Sequence, residues 1–133
     1  MEYQKFLENK KHSIGNFGFN SNYIPEIAFD FQKHIIEKAI LKGRTAIFAD
    51  TGLGKTLIQL SIAKNIINHT NKKVLILTPL AVAFQFILEA EKLGIDDIEY
   101  SKDGKHNKKI VVCNYERLLC RSYFRRKFYF KKF

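Results

Sequence analysis

Cysteine is scarce in this chain of 133 residues: Cys113 and Cys120 lie seven apart, with no second pair and no histidines at ligand spacing. That excludes a disulfide framework and argues against a zinc motif, so both read as reduced packing residues. Long apolar runs are missing too. None reaches the ~18 to 20 residues of a membrane span, and the N-terminal "MEYQKFLENKKHSIG" carries charges where a signal peptide needs an apolar core. Internal repeats are absent. Acidic residues run out early, since Glu116 is the last and residues 117–133 contain none. These absences lead to the expectation of a soluble cytoplasmic protein with no membrane contact.

What is present is enough for one core: 46% hydrophobic and 14% aromatic residues. Twenty-three Lys and Arg against thirteen Asp and Glu give +10, a balance suited to polyanions such as nucleic acid. The excess is uneven. "RSYFRRKFYFKKF", 121–133, holds six cations and no acid, and subtracting those six from +10 leaves +4 on the first 120 residues.

Residues 2–11 can form a short polar helix, and "SIGNFGFNSNYIP" (13–25) lacks a clean period and reads as a loop. After Pro25, Phe31, Ile35, Ile36, Ala39 and Ile40 recur at helical spacing, with Gly43 as the stop. "RTAIFAD" (44–50) is short and apolar between Gly43 and Gly52, which predicts a buried strand. A helix over 55–70, a strand over 73–79, a helix over 80–94 ending at Gly94 and a strand over 108–115 follow. "SKDGKHNKK" (101–109) reads as a solvated connection. Strand and helix in alternation imply an α/β fold with a parallel sheet and right-handed crossovers.

Ala49-Asp50-Thr51-Gly52-Leu53-Gly54-Lys55-Thr56 fits the Walker A pattern with alanine for its first glycine. Glycines let backbone N–H groups turn toward phosphates, and the following helix directs its positive dipole end at the same oxygens. In that pattern Thr51, Gly52, Leu53 and Gly54 cradle the phosphates of ATP. Lys55 bridges β and γ, and the Thr56 hydroxyl binds Mg²⁺. A Gly-rich strand-to-helix turn with a solvated lysine is the plainer alternative.

Gln32 precedes Lys55 by twenty-three residues, with an aromatic on each side of Asp30 in "FDFQ". This resembles the adenine-reading Q motif of superfamily 2 helicases. "FADTGLGKT" resembles their motif I, "LILTPLAVAFQ" their motif Ia, and "IVVCNYERL" the segment before motif II in the Snf-like branch. Over residues 15–119 the chain is most similar to the DEAD-like helicases of phages and prophages. The resemblance implies part of a P-loop NTPase, RecA-like domain that binds ATP and Mg²⁺ and acts on nucleic acid, DNA in the first place. The Gln32 amide suits the adenine edge, against the rival of an exposed helix glutamine, and Phe29 or Phe31 can stack on the base or belong to the core. The family brings Thr78 and Pro79, at a helix start, to a nucleic-acid phosphate, and sets Asn114 and Tyr115 beside the nucleic-acid track. A plain turn at Thr78 and helix capping by Asn114 are the alternatives.

The family also requires the Asp-Glu of motif II, which completes the Mg²⁺ shell and activates water, and a second RecA-like lobe. Residues 117–133 supply neither. The expected organisation is therefore an N-terminal helix and loop (1–24), a partial ATP-binding domain (25–120) truncated before the Walker B strand, and a basic-aromatic tail outside the family pattern (121–133). Because the strands flanking the phosphate-loop strand come from motif II onward, 44–49 is expected to be short of sheet partners. For the tail, three readings are open: a nucleic-acid patch, a membrane-surface segment, or the ending left by a frameshift or early stop. Two functions follow: an ATP-binding helicase fragment with little hydrolysis alone, completed by a partner chain, or a basic nucleic-acid-binding module. A small-molecule kinase would need a lid with arginines and an acceptor site, for which no segment stands out.

Overall fold

A computed structural model describes residues 2–6 and 15–119. Residues 2–6 are helical, and the rest of the expected N-terminal helix, Cys120 and the tail 121–133 lie outside the described residues. The elements in chain order are α1 (Asp30–Lys42), α2 (Lys55–Thr70), β1 (Val74–Thr78), α3 (Leu80–Lys92), β2 (Ile98–Tyr100), β3 (Ile110–Asn114) and α4 (Tyr115–Leu119). The three strands form one parallel sheet in the order β1-β3-β2, as the strand-helix alternation predicts.

β3 is central, and Ile110 through Asn114 are all buried, as a strand with neighbours on both edges requires. Its register sets Val74 opposite Ile110 and Thr78 opposite Asn114, so side chains at 74, 76, 78, 110, 112 and 114 share one face. That face packs under α2 and α3. Ile76, Ile110 and Val112 meet Leu60, Ala63 and Ile67 of α2 and Ala83, Phe86 and Ala90 of α3 in the larger core cluster. β2 escaped the pattern reading because three residues are too few to establish a period, although Ile98 joins the same core. α3 ends at Lys92 rather than at Gly94: Leu93 closes it, and Gly94 turns the chain toward β2.

A second core joins α1 to α2 through Ile36, Ile40 and Ile58, with Phe19, Ile35, Leu57 and Ile62 against it. The loop at 17–23 is strapped across this pair. The N–H groups of Phe17, Gly18 and Phe19 donate to the carbonyls of Lys42, Leu41 and Ile40, satisfying acceptors that the last turn of α1 would otherwise leave open. Approach this close requires glycine at 18, since a Cβ there would run into the Ile40 carbonyl oxygen. The strap is locked by Asn65, fully buried on α2. Its Oδ1 accepts from the N–H groups of Asn22 (2.7 Å) and Tyr23 (2.9 Å), and its Nδ2 donates to the carbonyls of Tyr23 (2.6 Å) and Ser61 (2.8 Å). Phe19 stacks on His69 near the end of α2, with ring centroids 3.9 Å apart.

One predicted element does not form. Residues 45–50 have no regular structure and are almost all exposed, so the buried strand expected over 44–50 is corrected to an irregular approach to the glycine turn. Phe48 is 98% exposed. Among the described residues no strand lies beside this segment, and a hollow of about 330 Å³, lined by Ile35, Ala39, Thr45 and Phe48 among others, separates it from α1. An apolar run without a ladder partner leaves its backbone groups to water, and that outweighs the gain from burying its side chains.

Candidate nucleotide site

The glycine turn forms where the pattern places it. Gly52 and Gly54 both take left-handed φ values, 79° and 74°, and α2 starts at Lys55 with Gly54 as its N-cap. No side chain caps that N-terminus, so the first-turn N–H groups face the turn with their partial positive charge uncompensated. Glycine at 54 answers to two constraints: the left-handed backbone, and the Gln32 amide nitrogen, with which a Cβ would collide.

Gln32 is 5% exposed, which removes the exposed-glutamine reading. It lies in the first turn of α1, where its Oε1 accepts from the Phe29 N–H at 2.9 Å and its Nε2 donates to the Leu53 carbonyl at 3.0 Å. One side chain thus ties the start of α1 to the phosphate loop. Its second amide hydrogen and second lone pair are the groups left for a ligand. Phe29 and Phe31, both exposed, stack on each other with centroids 6.1 Å apart, so neither is a core residue.

The loop satisfies part of its polar groups internally. Lys55 Nζ donates to the carbonyls of Ala49 and Asp50, each at 3.0 Å, and the Thr51 N–H donates to the Asp50 carboxylate at 2.7 Å. Lys55 is exposed and Thr56 half-buried at the head of α2, within reach of any anion in the turn. Left-handed glycines, an uncapped helix start, a lysine and a hydroxyl form a donor set that fits a phosphate chain with its Mg²⁺. Among the described residues no cluster of three His, Cys, Asp or Glu could hold a metal by itself.

The residues expected at the nucleic-acid track separate into two groups. Pro79 and Tyr115 are exposed, Tyr115 at 54%. Thr78 and Asn114 are 3% and 4% exposed, side by side in register at the carboxyl ends of β1 and β3. Thr78 Oγ1 and Asn114 Oδ1 have no hydrogen-bond partner among the described residues. α4 is held to the 101–109 connection by Arg117, which donates to the Lys102 carbonyl at 2.7 Å. Burial pushes the Cys113 thiol above its ordinary value, against smaller opposing effects of the Asn114 backbone and Arg117. The pattern reading assigned no role to two polar residues, Asn65 and Asp50. Asn65 sits four residues after Ser61 on the apolar face of α2, a signal that was available, whereas only the turn's geometry reveals Asp50.

Three parallel strands under helices, with a glycine turn heading α2, define part of a RecA-like helicase domain. The chain belongs to the family described as the type III restriction enzyme, res subunit, which matches residues 26–131. That family is helicase-like and of superfamily 2, in agreement with the motif order. Among solved structures the chain is similar to the UvsW helicase from bacteriophage T4, with a TM-score of 0.63 and 16% identity over 85% of this chain. At that identity the likeness is one of fold, and the chain spans 43% of the UvsW chain. A search of curated proteins found no match. Among the described residues no helix is long and apolar enough to cross a membrane.

Proposed function

We propose that the chain supplies the ATP-binding part of an ATP-dependent nucleic-acid helicase or translocase. Gln32 faces the adenine, Thr51 through Lys55 hold the phosphates, and Thr56 holds Mg²⁺. The observation that carries this reading is the 3.0 Å bond from Gln32 Nε2 to the Leu53 carbonyl, which joins the Q-motif residue to the phosphate loop across twenty-one residues of sequence. Residues 25–120 make up the nucleotide-binding unit in this reading, preceded by the N-terminal helix and loop of 1–24, and the family match runs on through residue 131 into the basic segment 121–133. It works in the cytoplasm, of a host cell if a phage encodes it.

Hydrolysis is not expected of these 133 residues alone, because the chain has no carboxylate after Glu116 to complete the metal shell or activate water. A partner chain, or further sequence, supplies that half. Purified protein is expected to bind Mg·ATP in equilibrium titration, and Lys55→Ala to weaken binding about tenfold or more, the loss of a charge-assisted contact to phosphate. Unchanged affinity in Lys55→Ala would remove the nucleotide reading. ATP turnover at helicase rates would overturn only the expectation of weak hydrolysis.

The net charge of +10 suits nucleic acid as the partner, and the helicase resemblance points to DNA in the first place, met through Pro79 and Tyr115 at the carboxyl edge of the sheet, with Thr78 and Asn114 behind them. A non-catalytic nucleic-acid-binding module built on 121–133 is the second reading, favoured by the six cations there. Binding to single-stranded DNA falls with salt in both cases. Deleting 121–133 abolishes the salt slope only if the tail is the binding patch.

A further inference from the structure

The phosphate loop already holds an anion of its own. Asp50 stands two residues before Gly52, and its Oδ1 accepts from the Thr51 N–H at 2.7 Å and lies 3.4 Å from the Thr51 hydroxyl. Its backbone carbonyl accepts from Lys55 Nζ at 3.0 Å and from the Leu53 N–H at 3.4 Å. Donors of the kind that would meet a phosphate are therefore turned onto Asp50 and Ala49. Only the Asp50 side chain among these acceptors carries a full negative charge.

We infer that Asp50 is an internal competitor of the nucleotide, a carboxylate that occupies phosphate-loop donors and opposes incoming phosphate charge, so that it sets the affinity and charge selectivity of the loop. The inference rests on the nucleotide reading above and assigns to that site a residue whose effect is negative. Two physical consequences follow. A ligand must displace the carboxylate from the Thr51 N–H, and it must settle with a unit charge of like sign within a few ångströms. Asp50 is exposed, so water and salt moderate the repulsion but do not remove it. The opposition scales with phosphate charge and vanishes for a nucleoside, so Mg²⁺ weakens it by lowering the ligand's charge without abolishing it.

Asp50→Asn tests this because the amide oxygen can still accept from the Thr51 N–H while the charge is gone. Affinities for ATP, ADP, AMP and adenosine, with and without Mg²⁺, are measured by calorimetry at about 50 and about 500 mM salt, a range that spans weak to strong screening. Asp50→Asn is expected to bind Mg-free ATP about fivefold more tightly, ADP less so, and adenosine unchanged, with the gain shrinking at high salt. Asp50→Glu, which restores the charge, returns the wild-type order. A purely structural role for Asp50 would shift all four ligands together and would be insensitive to salt. If wild type binds ATP, Lys55→Ala loses it, and Asp50→Asn binds equally or more weakly, the inference is overturned and the nucleotide reading survives. If wild type binds no nucleotide, the reading itself fails and this inference with it.

Discussion

Residues 44–50 and 72–79 start from similar chemistry: "RTAIFAD" and "KKVLILTP" are both short apolar runs leading to a turn and a helix. One becomes β1, paired along its length with β3 and covered by α2 and α3. The other is irregular and exposed, with Phe48 in solvent. The difference lies in their neighbours. A strand needs a ladder on at least one edge before burying its side chains is worthwhile, and β3 offers its two edges to 74–78 and 98–100, leaving none for 44–50. The candidate nucleotide site thus has one firm side, formed by α1, α2 and Gln32, and one side reached through an approach that no sheet among the described residues supports.

The largest test of this contrast compares two phenylalanines. Phe86→Ala, in the core under α3, is expected to lower stability by about 3–5 kcal/mol, and Phe48→Ala to change it by about 0.5 kcal/mol or less. Urea denaturation midpoints measure both, and a large loss for Phe48→Ala would mean that 44–50 is a core strand after all. Hydrogen exchange gives the same contrast without mutation. Amides of Val111 and Val112 should open only with global unfolding, about a thousandfold or more slower than those of Ile47 and Phe48.

Asn65→Ala probes the firm side. It removes four hydrogen bonds and leaves strap groups at Asn22 and Tyr23 without their protein partner, for an expected loss of about 1–3 kcal/mol with faster proteolysis near residues 17–23. Wild-type stability in that variant would show that the α1–α2 core holds the strap unaided. Gln32→Ala should cost less, about 1 kcal/mol, because water can replace part of its two bonds. It should also weaken Mg·ATP more than adenosine-free triphosphate, if the amide both braces the loop and faces the base.

The smallest effect is one of pH. Burial raises the Cys113 thiol above its ordinary 9.0, so the unfolded chain gives up this proton at a lower pH than the folded one. Its contribution is intact below that value and is lost as pH rises through the folded one. Between about pH 8 and pH 10, wild type should therefore lose more stability than Cys113→Ala. Equal slopes would mean that the thiol ionises freely in the folded protein.

Much of the fold was legible residue by residue. Helical spacing with Gly43 as stop located α1, and the glycine turn followed by an apolar period placed the start of α2 at Lys55. β1 and β3 showed as apolar runs bounded by lysines, and the parallel sheet followed from their alternation with helices. The glycines, Lys55 and Thr56 of the candidate site were legible because a phosphate cradle demands those residue types at fixed spacing. The burial of Gln32 was not, since a glutamine in a first helical turn reads alike whether it faces water or a loop carbonyl.

Sequence by itself determined the class of this protein, because the α/β alternation, the phosphate-loop spacing and the order of the helicase motifs are local or linear properties. Tertiary structure decided everything that depends on a partner distant in the chain. It denied 44–50 a ladder and turned Gln32 onto Leu53. It buried Thr78 and Asn114 next to each other, and it set the Asp50 carboxylate on the loop's own donors. Periodicity reports which face of an element is apolar, whereas pairing and polar satisfaction are settled only when that face meets another one.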